Sequence, residues 1–218
     1  ILLTNLEDIV KTISDNPKID KSYWSEVFVN CIEPYIKTLR DVNRVINTFQ
    51  FRYKILYEET AIEDMVALTT IEVLEPQLYQ WISRNKDLLC STYFHSFSAL
   101  YRNKSDYRTS ICEELKKLGI NTDIGIKFLS TLFPVFANDI DECDYKYTES
   151  NIRETMRVAQ KERFDSYFMF DLGGIPVSRY IINTYINILP LDDLIDTITK
   201  INNNGNIEYF IDELKSLV

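Results

Sequence analysis

The stretch Leu39-Arg40-Asp41-Val42-Asn43-Arg44-Val45-Ile46-Asn47-Thr48-Phe49-Gln50-Phe51-Arg52-Tyr53-Lys54-Ile55-Leu56-Tyr57 decides the fold class. At about 100° per residue, Val42, Val45, Ile46, Phe49, Tyr53 and Leu56 line one stripe, as in an amphipathic helix set against a core. Arg40, Arg44, Asn47 and Phe51 fall on the opposite side. A face that meets only water does not favour Phe51. The spacing leaves two readings: a solvated surface with one stray aromatic, or a helix packed on one side that meets something else on the other.

The same period recurs on both sides of this helix. Leu6, Ile9, Val10 and Ile13 accompany a capping-box pair at Thr4 and Glu7, and Trp24, Val27, Phe28 and Ile32 run from a cap at Ser22 to a break at Pro34. Downstream come Met65, Leu68, Ile71 and Leu74, then Leu78, Trp81 and Ile82 beyond Pro76. Tyr107, Ile111, Leu115 and Leu118 stop at Gly119. Ile126, Leu129, Leu132 and Phe133 surround Pro134. Further helices are expected over 149–162, from Ser178 through Tyr185, at Leu191–Ile198 and at Ile207–Leu217. The run Tyr167–Leu172, closed by Gly173-Gly174, is open to two readings, a short strand or an extended docking segment. The expected fold is all-α, an irregular array of about nine to eleven helices with at most one short strand or hairpin near 167–172. No self-similarity appears at solenoid periods. The polar, aromatic stretch Asp87–Asp106 reads as a connection, which divides the chain into 1–90 and 91–218.

Composition bounds the function. The chain has 218 residues, 45% of them hydrophobic, enough for a sizeable core. Lys+Arg 24 against Asp+Glu 33 leaves a net charge of -9, the wrong sign for tight generic binding to nucleic acid or anionic lipid. No apolar run reaches the roughly 18 residues of a membrane span, and no signal-peptide pattern is present, so a cytoplasmic location is expected. The sequence starts at Ile1, within what reads as the lead-in to a helix, and is expected to be a piece of a longer protein.

Chemical motifs are few. Cys31, Cys90, Cys112 and Cys143 form no CxxC pair, which excludes zinc-finger and thioredoxin-like motifs, and they read as reduced core residues. The single histidine, His95, lies in an aromatic cluster and cannot build a zinc site alone. Asp139, Asp141, Glu142 and Asp144 lack EF-hand spacing. There is no phosphate-binding Gly loop. No catalytic and no metal-binding residue is therefore expected in this chain. Arg153, Arg157 and Lys161 fall at i, i+4 and i+8, either an anion-facing stripe or an ordinary solvent face. With Phe51 they are the interface candidates.

Four strings resemble, in order, the KAP family of P-loop NTPases, large ATPases related to kidney ankyrin-repeat-rich membrane-spanning proteins. Leu39–Asn47 resembles the family's "P-R-D-ϕ-K-R-ϕ-ϕ-N" helix, with Leu39 in place of Pro and Asn43 in place of a basic residue. Glu63–Leu68 resembles its acidic "D-L-ϕ-A-L" segment. Val73–Tyr79, followed by Trp81-Ile82 and Asn85–Leu89, resembles "ϕ-F-E-P-x-L-Y". Arg163–Phe168 resembles the "R-F-D-R-Y-F" box, and Gly173–Ser178 the lead-in to the next helix. The resemblance covers roughly residues 22–190. It implies a helical lid and a coupling or effector region that follow an N-terminal NTPase domain. The expected partners are that domain and a further protein. ATP and Mg²⁺ would belong to the parent protein and not to this part of it. Arg40 is the implied nucleotide-sensing residue, then Arg44, with Asn47 orienting one of them. The other reading is a stand-alone helical interaction module with no role in ATP hydrolysis.

Overall fold

Residues 2–13, 19–90, 104–140, 152, 155–169, 182, 190–203 and 207–215 are described by the computed structural model. They are all-α, with no strand among them. The chain opens with α1 (Leu2–Ile13) and α2 (Lys21–Val27). Asp20, not Ser22, caps α2, accepting the N–H groups of Ser22 at 2.9 Å and Tyr23 at 3.1 Å. α2 runs straight on into a π-helical turn at Phe28–Ile32, which ends before Pro34.

The central pair is α3 (Leu39–Leu56) and α4 (Ile62–Leu74), which pack on each other. Thr38 starts α3 through a reciprocal capping box. Its hydroxyl accepts the Asp41 N–H at 3.2 Å, and the Asp41 carboxylate accepts the Thr38 N–H at 2.9 Å. The expected stripe of α3 is buried, and Arg52 is buried with it. α4 has no polar side over its first three turns, since every residue from Ile62 to Ile71 is buried, Glu63 and Asp64 included. A helix covered all round is the centre of its domain. Helices α1, α2, α5 (Pro76–Arg84) and the π-helical turn surround this pair.

Pro76 and Pro134 stand at the first turn of new helices, where a missing N–H leaves no bond unmade. The periodic segments therefore break cleanly into α4 and α5, and into α8 (Thr122–Leu132) and α9 (Pro134–Asp139). Between them lie α6 (Lys86–Cys90) and α7 (Lys104–Lys117). Gly119 follows α7 at φ +78°, a conformation that glycine adopts without steric cost.

The chain divides into compact units at 1–168 and 169–218. Packing crosses position 90/91 within the first of them: α8 lies on α2 and the π-helical turn, and Trp81 donates to Glu114 at 3.0 Å. Two expectations are corrected. Residues 155–163 are a series of turns, not the tail of a helix over 149–162. Met156 adopts φ 56°, which ends any helical run there. Tyr167 and Phe168 belong to a 3-10 helix (Phe164–Phe168), not to a strand, and Phe170–Leu172 lie outside the described residues. At three residues per turn, Phe164 and Tyr167 share one face, and both are buried.

The second unit has its own small core. Ile182, Ile201 and Phe210 are buried, with Ile198, Ile207 and Leu214 packed around them from α10 (Leu191–Asn203) and α11 (Ile207–Lys215).

The left-handed turn at Met156 gives a direct test. A β-branched side chain is poorly tolerated at positive φ, so Met156→Val is expected to destabilise unit 1 by about 1–3 kcal/mol, while Met156→Gly keeps the fold. Thermal melting of the two variants measures the difference.

Candidate functional site

Two places gather polar residues: the outward face of α3, and a buried cluster between α4 and residues 155–168. On α3, Arg40, Arg44, Asn47 and Phe51 are all exposed, with Phe51 at 63%. Leu39, at the start of the same face, is 58% exposed. The structure thus brings all three nucleotide-sensing candidates and Phe51 to one surface. Arg44 has a structural task there: its Nη2 donates to the Val73 carbonyl at 3.0 Å, at the C-terminal end of α4, where the helix dipole favours a cation. Arg40 and Asn47 have no side-chain partner among the described residues, and Asn47 orients neither arginine. The Asp41 carboxyl is held below the usual range, chiefly by the Thr38 hydroxyl and only slightly by Arg44.

The second set of interface candidates does not form a stripe. Arg157 is 1% exposed and points into the core. Lys161 stays outside but is paired with Asp87 at 2.7 Å. Arg153 lies outside the described residues, as do His95 and Cys143. Cys31, Cys90 and Cys112 are thiols.

Arg157 belongs to the buried cluster, which hydrophobic periodicity does not reveal. Asp64, on α4, accepts the Val158 N–H at 2.7 Å and a short hydrogen bond from the Tyr23 hydroxyl. Arg157 Nε lies 3.7 Å from the same carboxylate, and its guanidinium carbon sits 3.5 Å above the Tyr23 ring. Arg157 Nη2 also donates to the Thr131 carbonyl at 3.1 Å, at the last turn of α8. One arginine therefore joins α2, α4, α8 and the turn that carries it.

Two further arginines repeat the device. Arg163 pairs with Glu59 at 3.0 Å, both side chains being 1% exposed. Arg52 holds Glu72 and the Tyr167 carbonyl through short hydrogen bonds, and donates to the Tyr79 hydroxyl at 2.8 Å. Tyr167 closes the cluster. Its hydroxyl donates to the Met156 carbonyl at 2.6 Å and accepts the Ala61 N–H at 2.7 Å. Asp165 reaches outward to pair with Lys86. Apart from Asp165, the Arg163–Phe168 box is thus a joint to Glu59, Ala61 and Arg52, while Asp64 on α4 fastens Arg157 and Val158.

Burial sets the electrostatics. It raises the Asp64 carboxyl above its ordinary range, while Arg157, Tyr23 and the Val158 N–H pull the other way. It pushes Tyr23 and Tyr167 well up. Glu63 accepts the Asp20 N–H at 2.9 Å, and burial pushes its carboxyl up to about 7. Arg52 loses hydration, but Tyr79 and Glu72 more than offset that loss and keep it charged. These carboxylates are engaged with arginines and backbone donors, which is the chemistry of a joint and not of an acid or base awaiting substrate. Among the described residues, no three His, Cys, Asp or Glu side chains group as a metal site. No helix among them is long and apolar enough to cross a membrane.

Comparison with protein-family models, with curated proteins and with solved structures gives no match to this chain.

The buried pair should behave as a joint. Arg163→Leu or Glu59→Leu alone is expected to cost about 3–5 kcal/mol by stranding a charge, and the double substitution to cost clearly less than the sum. Urea unfolding of the three variants checks this. Glu63 gives a pH signature. Its folded value is about 7 against an ordinary 4.5, so the folded state holds a proton that the unfolded state has released. That contribution is complete below the unfolded value and disappears as pH rises through the folded one. Melting at pH 5 and pH 8 is expected to show a larger fall for the wild type than for Glu63→Gln, with the variant the more stable of the two at pH 8.

Proposed function

We propose that the chain is the helical lid and effector part of a KAP-type P-loop ATPase, whose α3 outer face meets the nucleotide-binding domain and couples nucleotide state to a further protein partner. One observation carries the reading. Of the three charged residues in the resemblance string Leu39–Asn47, Asp41 caps α3 and Arg44 closes the end of α4, whereas Arg40 stands exposed with no partner among the described residues. A cation without a structural task, on a helix whose other face is committed to the core, fits a contact made to another domain. The other three strings supply Asp64, Tyr79, Arg163 and Tyr167 to the buried framework that fixes α3.

The sequence has no phosphate loop, and among the described residues Glu59, Asp64 and Glu72 are engaged with arginines. Nucleotide and metal belong, on this reading, to the parent's NTPase domain. Exposed Leu39 and Phe51 favour a second reading, a helical interaction module without ATP chemistry, because an apolar side chain in water is what any protein interface can use.

The reading frame that encodes the chain is expected to carry a Walker A loop upstream of Ile1. In that full-length protein, Arg40→Ala should lower ATP turnover without lowering the melting temperature, because truncating an exposed side chain leaves no cavity. Ile46→Ala, a buried control, should destabilise by about 2–5 kcal/mol. Steady-state phosphate release beside thermal melting separates the two. Unchanged turnover in Arg40→Ala contradicts the ATPase reading and leaves the interaction module.

A further inference from the structure

The outward face of α3 has a chemistry that specifies its partner more narrowly than either reading above. Going round the helix at about 100° per residue, Leu39, Gln50, Asn43, Lys54, Asn47, Arg40, Phe51 and Arg44 form one continuous arc. All eight are exposed. The charged members, Arg40, Arg44 and Lys54, are all basic, and Lys37 lies just ahead of the helix. Asp41, the acid within α3, lies off this arc and is engaged mainly in the capping box. A chain of net charge -9 thus carries a local surface of opposite sign. Its two large apolar side chains stand at opposite ends. Leu39 and Phe51 are twelve residues apart, about 18 Å along the helix at 1.5 Å per residue.

We propose that this face is the docking site for an acidic amphipathic helix of whatever domain meets α3, with apolar side chains about 18 Å apart seated on Leu39 and Phe51 and carboxylates between them facing Arg40, Arg44 and Lys54. The length of the face, about three helical turns, matches helix-on-helix recognition through anchors on one side. Nucleic acid is the poorer occupant. Three or four cations neutralise few phosphates, and the remaining charge of the chain repels a polyanion. An anionic membrane meets the same repulsion. The proposal rests on the exposed face of α3 and not on the ATPase reading, so phosphate-release measurements and the binding test below fail independently.

The test uses a fluorescent four-turn peptide with Leu at positions about 18 Å apart and Glu between them, and a counterpart with Lys in place of Glu. A 20-nucleotide single-stranded DNA and phosphatidylserine vesicles serve as competing polyanions. Anisotropy titrations against the whole chain are expected to show binding of the Glu peptide only. Affinity should fall about fivefold or more in Arg40→Glu/Lys54→Glu, in Phe51→Ser, and on raising NaCl from about 50 to 300 mM. Melting of each variant confirms that it is folded, and Arg40→Lys should retain binding. Four results would each overturn the proposal: no binding of the Glu peptide, equal binding of both peptides, binding indifferent to the variants, or tighter capture of DNA or vesicles through the same residues.

Discussion

The contact between Asp64 and Arg157, made over the ring of Tyr23, is the constraint on which unit 1 depends. α4 is buried on all sides over Ile62–Ile71, so the backbone groups along its middle are spent within the helix and side chains must fasten other segments to it there. Residues 155–163 have little regular structure of their own and cannot be held by a hydrogen-bond ladder. Asp64 meets both needs. It takes the Val158 N–H, the Tyr23 hydroxyl and the Arg157 charge at one carboxylate. A buried carboxylate is costly by itself, and it is stable here because several donors converge on it. Arg163 with Glu59, and Arg52 with the Tyr167 carbonyl, extend the same fastening along the segment.

This arrangement explains how one helix serves two surfaces. Neighbouring residues of α3 point in opposite directions: Arg52 is 2% exposed and grips Tyr167, whereas Phe51 is 63% exposed. The inner side of α3 is fixed by its apolar stripe and by Arg52. The outer side is therefore presented on a rigid element, which favours binding because little conformational entropy remains to be lost there.

Much of this was legible in the sequence where regular periodicity operates. The stripe Val42–Leu56 identifies α3, and the opposite placement of Arg40, Arg44, Asn47 and Phe51 is the arrangement found. Thr38 and Asp41 carry a capping-box spacing that marks the start of α3. Arg52 was also within reach, since it falls on the arc of Val45, Phe49 and Leu56, where a charge signals a buried ion pair. The segment 155–168 was not legible. Arg153, Arg157 and Lys161 have helical spacing, but Met156 at positive φ turns Arg157 inward, and methionine carries no signature for that conformation. Buried arginines also read as surface in any hydropathy pattern. The division at 168/169 was hidden for a related reason. What joins the two sides of Asp87–Asp106 is side-chain contact at long sequence separation, as in Trp81 with Glu114, which local pattern does not encode.

The central claim is that residues 155–168 are part of the core of unit 1, fastened by buried charge. Native-state hydrogen exchange tests it most directly. The amides of Arg157, Val158, Gln160 and Arg163 are bonded to the Ile152 carbonyl, the Asp64 carboxylate, the Arg157 carbonyl and the Gln160 carbonyl. If the claim holds, the Val158, Gln160 and Arg163 amides open with the same free energy as those in the middle of α4, in one cooperative event. Exchange of these amides at the rate of a loose loop, while α4 stays protected, would contradict it.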